Sequence, residues 1–116
     1  MVTIAEEWVD TMSKMRVKIE FMPLMTRGGS LREPENAEVW QNTVDVFRKV
    51  APQAEKAGVV LGVESNLDVD SYKRFLDAVG SPAVQAFYNP GGRAGGQVRR
   101  LQAIPDLGKD RVCAFT

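Results

Sequence analysis

The chain has 116 residues, which is enough for one domain or less. Lys+Arg and Asp+Glu both number 15, and this zero net charge favours neither nucleic acid nor an anionic membrane surface as a partner. No apolar run approaches the roughly 18 residues of a membrane span, and the complete lack of histidine removes the commonest general base and transition-metal ligand.

In chain order the sequence predicts helices alternating with strands. Residues 4–14 read as a helix with Ile4, Trp8, Met12 and Met15 on one face. Arg16–Leu24 reads as a strand in which Val17, Ile19 and Phe21 alternate with Arg16, Lys18 and Glu20, a pattern suited to a sheet edge. A polar loop follows over Met25–Pro34. A long helix is expected from Glu35 to Ala57, its core stripe formed by Trp40, Val44, Phe47, Ala51 and Ala54. Pro52 lies inside it and predicts a kink or two abutting helices. Trp8, Trp40 and Phe47 are all expected in the core.

Gly58 supplies a left-handed helix stop before the apolar run Val59–Val63. Asp68 or Asp70 can cap the next helix, whose Tyr72, Phe75, Leu76 and Val79 form an i, i+3, i+4, i+7 face ending at Gly80. Ala83–Tyr88 is a third strand. The glycine-rich turn Asn89–Gly96 leads to a short helix carrying Val98, Leu101 and Ile104, stopped by Pro105. Asp106, Lys109, Asp110 and Arg111 form a mixed-charge turn before a last strand over Arg111–Phe115, which places Cys113 in a buried run. This single cysteine excludes an internal disulfide and suits a reducing cytoplasm; Glu6, Glu7 and Asp10 do not suit a signal peptide.

Such an alternation implies right-handed β-α-β units and an α/β fold with four parallel strands. It fits either an open sheet or part of an eight-stranded α/β barrel. A terminal parallel strand needs cover on both faces, which favours a half-barrel occupying residues 1–116. In these folds ligands bind at the carboxyl ends of the strands. Glu64, which closes the run Val59–Val63 and precedes Ser65 and Asn66, is therefore the leading candidate for a working residue. Its bland reading is a solvated strand-end carboxylate. The run from Asn89 through Arg99 and Arg100 suggests a phosphate loop but matches neither G-x-G-x-x-G nor the Walker pattern. Arg93 in that run is a candidate contact for an anionic substrate. Ser65 has no histidine to activate it, which excludes a serine nucleophile.

Three segments, AEKAGVVLGVES (Ala54–Ser65), LDAVGSPAVQAFYN (Leu76–Asn89) and LGKDRVCAFT (Leu107–Thr116), together resemble the sugar isomerase and epimerase family with the xylose-isomerase-like barrel. They look like its strands five, six and seven, with Val17–Leu24 similar to strand four. The resemblance implies a partial TIM barrel, a sugar or sugar-like substrate, and one divalent metal (manganese, magnesium, cobalt or zinc) held by Glu, Asp, His and Glu. Carried over, the first glutamate is Glu64, as ligand and acid–base. The aspartate position holds Asn89 and the histidine position Thr116; the second glutamate would lie beyond the chain. Apart from the resemblance, Asn66 and Arg93 are the candidate substrate contacts. An amide brings no charge to a hard cation, and a hydroxyl replaces imidazole poorly.

Two functions follow as expectations. One is part of a metal-dependent isomerase that moves a proton beside a carbonyl and is inactive as this isolated chain. The other is a non-catalytic α/β module that binds a small anion or a partner chain. Open sheet edges predict a homodimer or self-association.

Overall fold

The computed structural model describes residues 2–24, 37–65, 67, 69–88 and 108–115. Helix α1 (Val2–Lys14) ends where Arg16 takes a left-handed conformation, φ 58°. Strand β1 is Ile19–Pro23 and helix α2 is Ala37–Ala57. Gly58, at φ 71°, makes the predicted stop and turns the chain into β2, Val60–Glu64. Helix α3 (Val69–Val79) ends at Gly80, φ 69°, before β3, Val84–Tyr88. A single 3-10 turn, Lys109–Arg111, leads into β4, Val112–Phe115.

The four strands form one parallel sheet in the order β1-β2-β3-β4. Sequential order with right-handed crossovers puts the helices on one side, and α2 packs on β2 and α3 on β3. The core lies in this helix–sheet layer. Phe75 is its centre: it is fully buried and meets the rings of Trp40 and Phe47 edge-on at 5.7 and 5.5 Å. Helix α2 is tied to its neighbours by Gln53 Nε2 donating to the Glu6 carbonyl and Arg48 Nε to that of Ala78.

Gly62 of β2 and its register partner Phe21 of β1 belong to the opposite face of the sheet. Gly62 of β2 is buried, and a Cβ there would come within 2.9 Å of Cys113 Sγ and 3.3 Å of both Ile19 and Phe87. Side chains from β1, β3 and β4 thus converge over one glycine, as they do inside a barrel wall.

Several expectations are corrected. Helix α1 is turned about its axis: Ala5 and Val9 are buried with Met12 against them, whereas Ile4, Trp8 and Met15 are exposed, Trp8 at 54%. Small residues there allow α1 to lie close to α2, which the larger stripe would not. Among the described strands β1 lies at the edge of the sheet, but Glu20 is buried (3% exposed) while Ile19 and Phe21 are exposed. Helix α2 continues through Pro52, not as two abutting helices, with buried Val50, Ala51 and Ala54 holding it in the core. Cys113 is only half-buried, its thiol directed to the Ala86 carbonyl. Arg111 forms an ion pair with Asp77 that ties the mixed-charge turn to α3, and it precedes β4 rather than starting it. The glycine-rich turn and the helix expected around Leu101 lie outside the described residues.

Candidate functional site

Glu64 is the last residue of β2 and is almost wholly buried, 7% exposed. Its main chain is fixed from both sides. The Leu24 amide, just past β1, donates to the Glu64 carbonyl at 2.8 Å. On the other side, the Tyr72 hydroxyl of α3 donates to the Val63 carbonyl at 2.9 Å and accepts from the Ser65 amide at 2.7 Å. The Ser65 hydroxyl then accepts from the Leu67 amide at 3.3 Å, forming a small side-chain turn, and Leu67 is itself buried.

This arrangement serves two needs. A parallel strand leaving its sheet exposes backbone groups that must find partners. The Tyr72 hydroxyl satisfies the two that flank Glu64. The carboxylate is thereby held at the carboxyl end of the sheet, the end at which β3 also finishes, at Tyr88. Glu64 and Tyr88 therefore lie at the same mouth, which is where the sequence placed the site.

Asn66, Asn89, Arg93 and Thr116 fall outside the described residues, so the structure places only Glu64 of the proposed set. Among the described residues no three His, Cys, Asp or Glu side chains converge to hold a metal ion. One buried carboxylate does not by itself match a divalent cation, which takes several charged or strongly polar donors. The described part of the site therefore does not fit a complete metal centre.

Two residues escaped the sequence reading. Tyr72 read as one member of an apolar helix stripe. The available signal was chemical: a tyrosine on a buried face must bring its hydroxyl to a partner. Glu20 read as the exposed side of an alternating strand. It lies instead on the helix-facing side of β1, and neither carboxylate oxygen has a hydrogen-bond partner. Burial pushes its carboxyl above the usual glutamate range.

No protein-family model matches the chain, and no curated protein matches it. Solved structures do. The chain superposes on a xylose isomerase domain protein from Planctomyces limnophilus with a TM-score of 0.77 at 16% identity, covering 98% of this chain and 40% of that one. It superposes on the IOLI protein, solved with a bound zinc atom, with a TM-score of 0.75 at 15% identity, covering 98% and 42%. The fold is thus part of a xylose-isomerase-like barrel, and the chain spans about two-fifths of the length of these structures.

Proposed function

We propose that this chain carries part of a sugar isomerase or epimerase site, with Glu64 as its acid–base group. The observation that supports this most is the placement of a buried carboxylate at the end of a central parallel strand, with its flanking amide and carbonyl held by Tyr72. A structural carboxylate gains little from such fixing. A proton-transfer group needs it, because a misplaced base loses rate steeply. The chemistry offered is removal of a proton from carbon beside a carbonyl. Return of that proton at the neighbouring carbon needs either a second acid or a mobile carboxyl.

The likeness to the IOLI protein, which holds zinc, supports a divalent metal in proteins of this fold. The described donors of this chain do not complete such a site, so no step is assigned to a metal here. The isolated chain is accordingly expected to turn over no aldose or ketose. Cys113 is the single cysteine of the sequence and so makes no internal disulfide, which suits a reducing compartment, and the cytoplasm is proposed on that ground. No described helix is long and apolar enough to cross a membrane.

The second reading, a non-catalytic module binding a partner chain, is favoured by the exposed apolar side chains of α1 and β1. Calorimetric titration of manganese or zinc into wild type and Glu64→Gln separates the two. Weak binding that disappears in Glu64→Gln supports the site. Identical isotherms for both proteins contradict a ligand role for Glu64. Sugar turnover by the isolated wild-type chain would overturn the expectation of inactivity.

A further inference from the structure

Glu20 is a buried carboxyl that the proposed site does not use. It lies on the helix-facing side of β1, the side from which Met22 and Leu24 join the core. Both carboxyl oxygens are wholly covered and neither has a hydrogen-bond partner. An oxygen with no accessible surface takes no partner from solvent or from another chain while this border is closed. Among the described residues no neighbour brings a buried charge to balance it. In α1, Glu6, Glu7, Asp10 and Lys14 are exposed, and Lys14 pairs with Asp10 at 2.7 Å. In α2, Glu38, Arg48, Lys49, Glu55 and Lys56 are exposed, and half-buried Asp45 accepts from Gln41. In the sheet, Lys18 is exposed, and Glu64 belongs to the other face, opposite Pro23.

The border that encloses Glu20 is lightly fastened. Helix α1 is joined to β1 by a turn in which the Val17 amide donates to the Met12 carbonyl at 2.9 Å. Its seat is made of Ala5 and Val9 with Met12 beside them, while Ile4, Trp8 and Met15 are exposed. A side-chain hydrogen bond, from Gln53 Nε2 to the Glu6 carbonyl, ties it to α2. The joint with β1 is Arg16 at φ 58°, a left-handed conformation that a side chain adopts at a cost glycine avoids. Few buried apolar contacts and a strained joint mark a segment that opens before the rest of the fold. At its far end β1 reaches the candidate site, where the Leu24 amide donates to the Glu64 carbonyl at 2.8 Å.

We propose that Glu20 is a pH-sensitive latch for this border. Protonated, it stays inside, and α1 and β1 stay closed on the sheet. Ionised, it draws the border open to reach water, and the hold of Leu24 on Glu64 loosens. The physical reason is the cost of a buried charge without a partner, much of which a neutral carboxyl avoids. Burial holds the carboxyl above its ordinary 4.5, so the closed state binds the proton more tightly than the open one. Closure is therefore strongest below pH 4.5 and is lost as pH rises through the raised folded value, by up to about tenfold in the closing equilibrium for each pH unit. The latch rests on the fold. Its meaning for proton transfer rests on the proposed role of Glu64, which the exchange experiment below leaves aside.

Amide hydrogen exchange on the full chain tests it, read as protection factors so that the intrinsic effect of pH is divided out. The reporters are Val9 in α1, Leu24 at the end of β1 and Leu61 in the covered strand β2. From pH 4.5 to about pH 7 the protection of Val9 and Leu24 is expected to fall at least tenfold, and at every pH to lie at least tenfold below that of Leu61. Glu20→Gln keeps the shape and removes the titration, so its Val9 and Leu24 protection should vary by less than about twofold over the same range. Should that variant fail to fold, Glu20→Leu carries the comparison with the same expectation. A wild-type response no larger than the variant's would overturn the latch. Equal protection of Val9, Leu24 and Leu61 would overturn it too, because the opening would then be global.

Discussion

The two borders of helix α2 behave differently. Towards α3 and β2 the large side chains are covered: Trp40, Phe47, Leu61, Val63, Tyr72, Phe75 and Leu76 are all buried. Towards α1 and β1, the order is reversed. Small or moderate residues, Ala5 and Val9, are buried, the larger Ile4, Trp8, Ile19 and Phe21 are exposed, and a carboxylate, Glu20, lies inside. A β-α unit flanked by units on both sides satisfies its packing internally. One at a border of the described sheet shows its larger apolar side chains to solvent.

The comparison makes graded predictions for stability. The largest loss should come from the finished side. Phe75→Ala removes the ring that joins Trp40 to Phe47 and should cost about 3–5 kcal/mol by urea denaturation, enough to unfold a marginal domain. A loss below about 1 kcal/mol would show that this region is not the core.

The border region should yield a gain. Glu20→Leu relieves a buried carboxylate without partners and should stabilise the fold by about 1–3 kcal/mol at pH 7. The sign with pH follows from the raised carboxyl: the folded state holds its proton above the ordinary value of 4.5, so wild-type stability falls as pH rises through that window. The advantage of Glu20→Leu should therefore shrink on acidification. A gain independent of pH would assign it to packing instead of charge.

Tyr72→Phe should cost about 1–2 kcal/mol, because the Val63 carbonyl and the Ser65 amide lose their shared partner. If the isolated chain binds metal at Glu64, this variant should also weaken that binding; unchanged stability would show the hydroxyl to be dispensable. The smallest effect belongs to Trp8→Ala, within about 0.5 kcal/mol under monomeric conditions, since its ring covers little in the single chain. A loss of 2 kcal/mol would mean that Trp8 packs against the fold after all.

What the sequence revealed follows the same division. The Trp40–Val44–Phe47–Ala51–Ala54 stripe, the stops at Gly58 and Gly80 and the strand ending in Glu64 were legible because periodicity and backbone chemistry agreed there. The faces of α1 and β1 were not. Hydrophobicity identifies which side chains prefer cover, and at a border that preference is met by a neighbour or not at all. In β1 the period of two was visible, but a parallel strand has two covered faces, so the period alone did not tell which face met the helices. The Tyr72 bridge was hidden for another reason: it joins a helix to the end of a strand nine residues earlier, a contact that only the folded crossover creates. Of the site itself, the sequence placed Glu64 at the strand end, as the structure does, while Asn66, Asn89 and Arg93 lie outside the described residues and stay as proposals.

The central claim, a covered interior beside an exposed border, is tested most directly by amide hydrogen exchange in dilute solution. The reporters are Ile19 and Phe21 in β1 and Leu61 in β2, whose amide donates to the Ala83 carbonyl at 2.7 Å. Leu61 should exchange slowly. Ile19 and Phe21, in the outermost strand of the described sheet, should exchange at least tenfold faster. Protection at Ile19 and Phe21 equal to that at Leu61 would contradict the account.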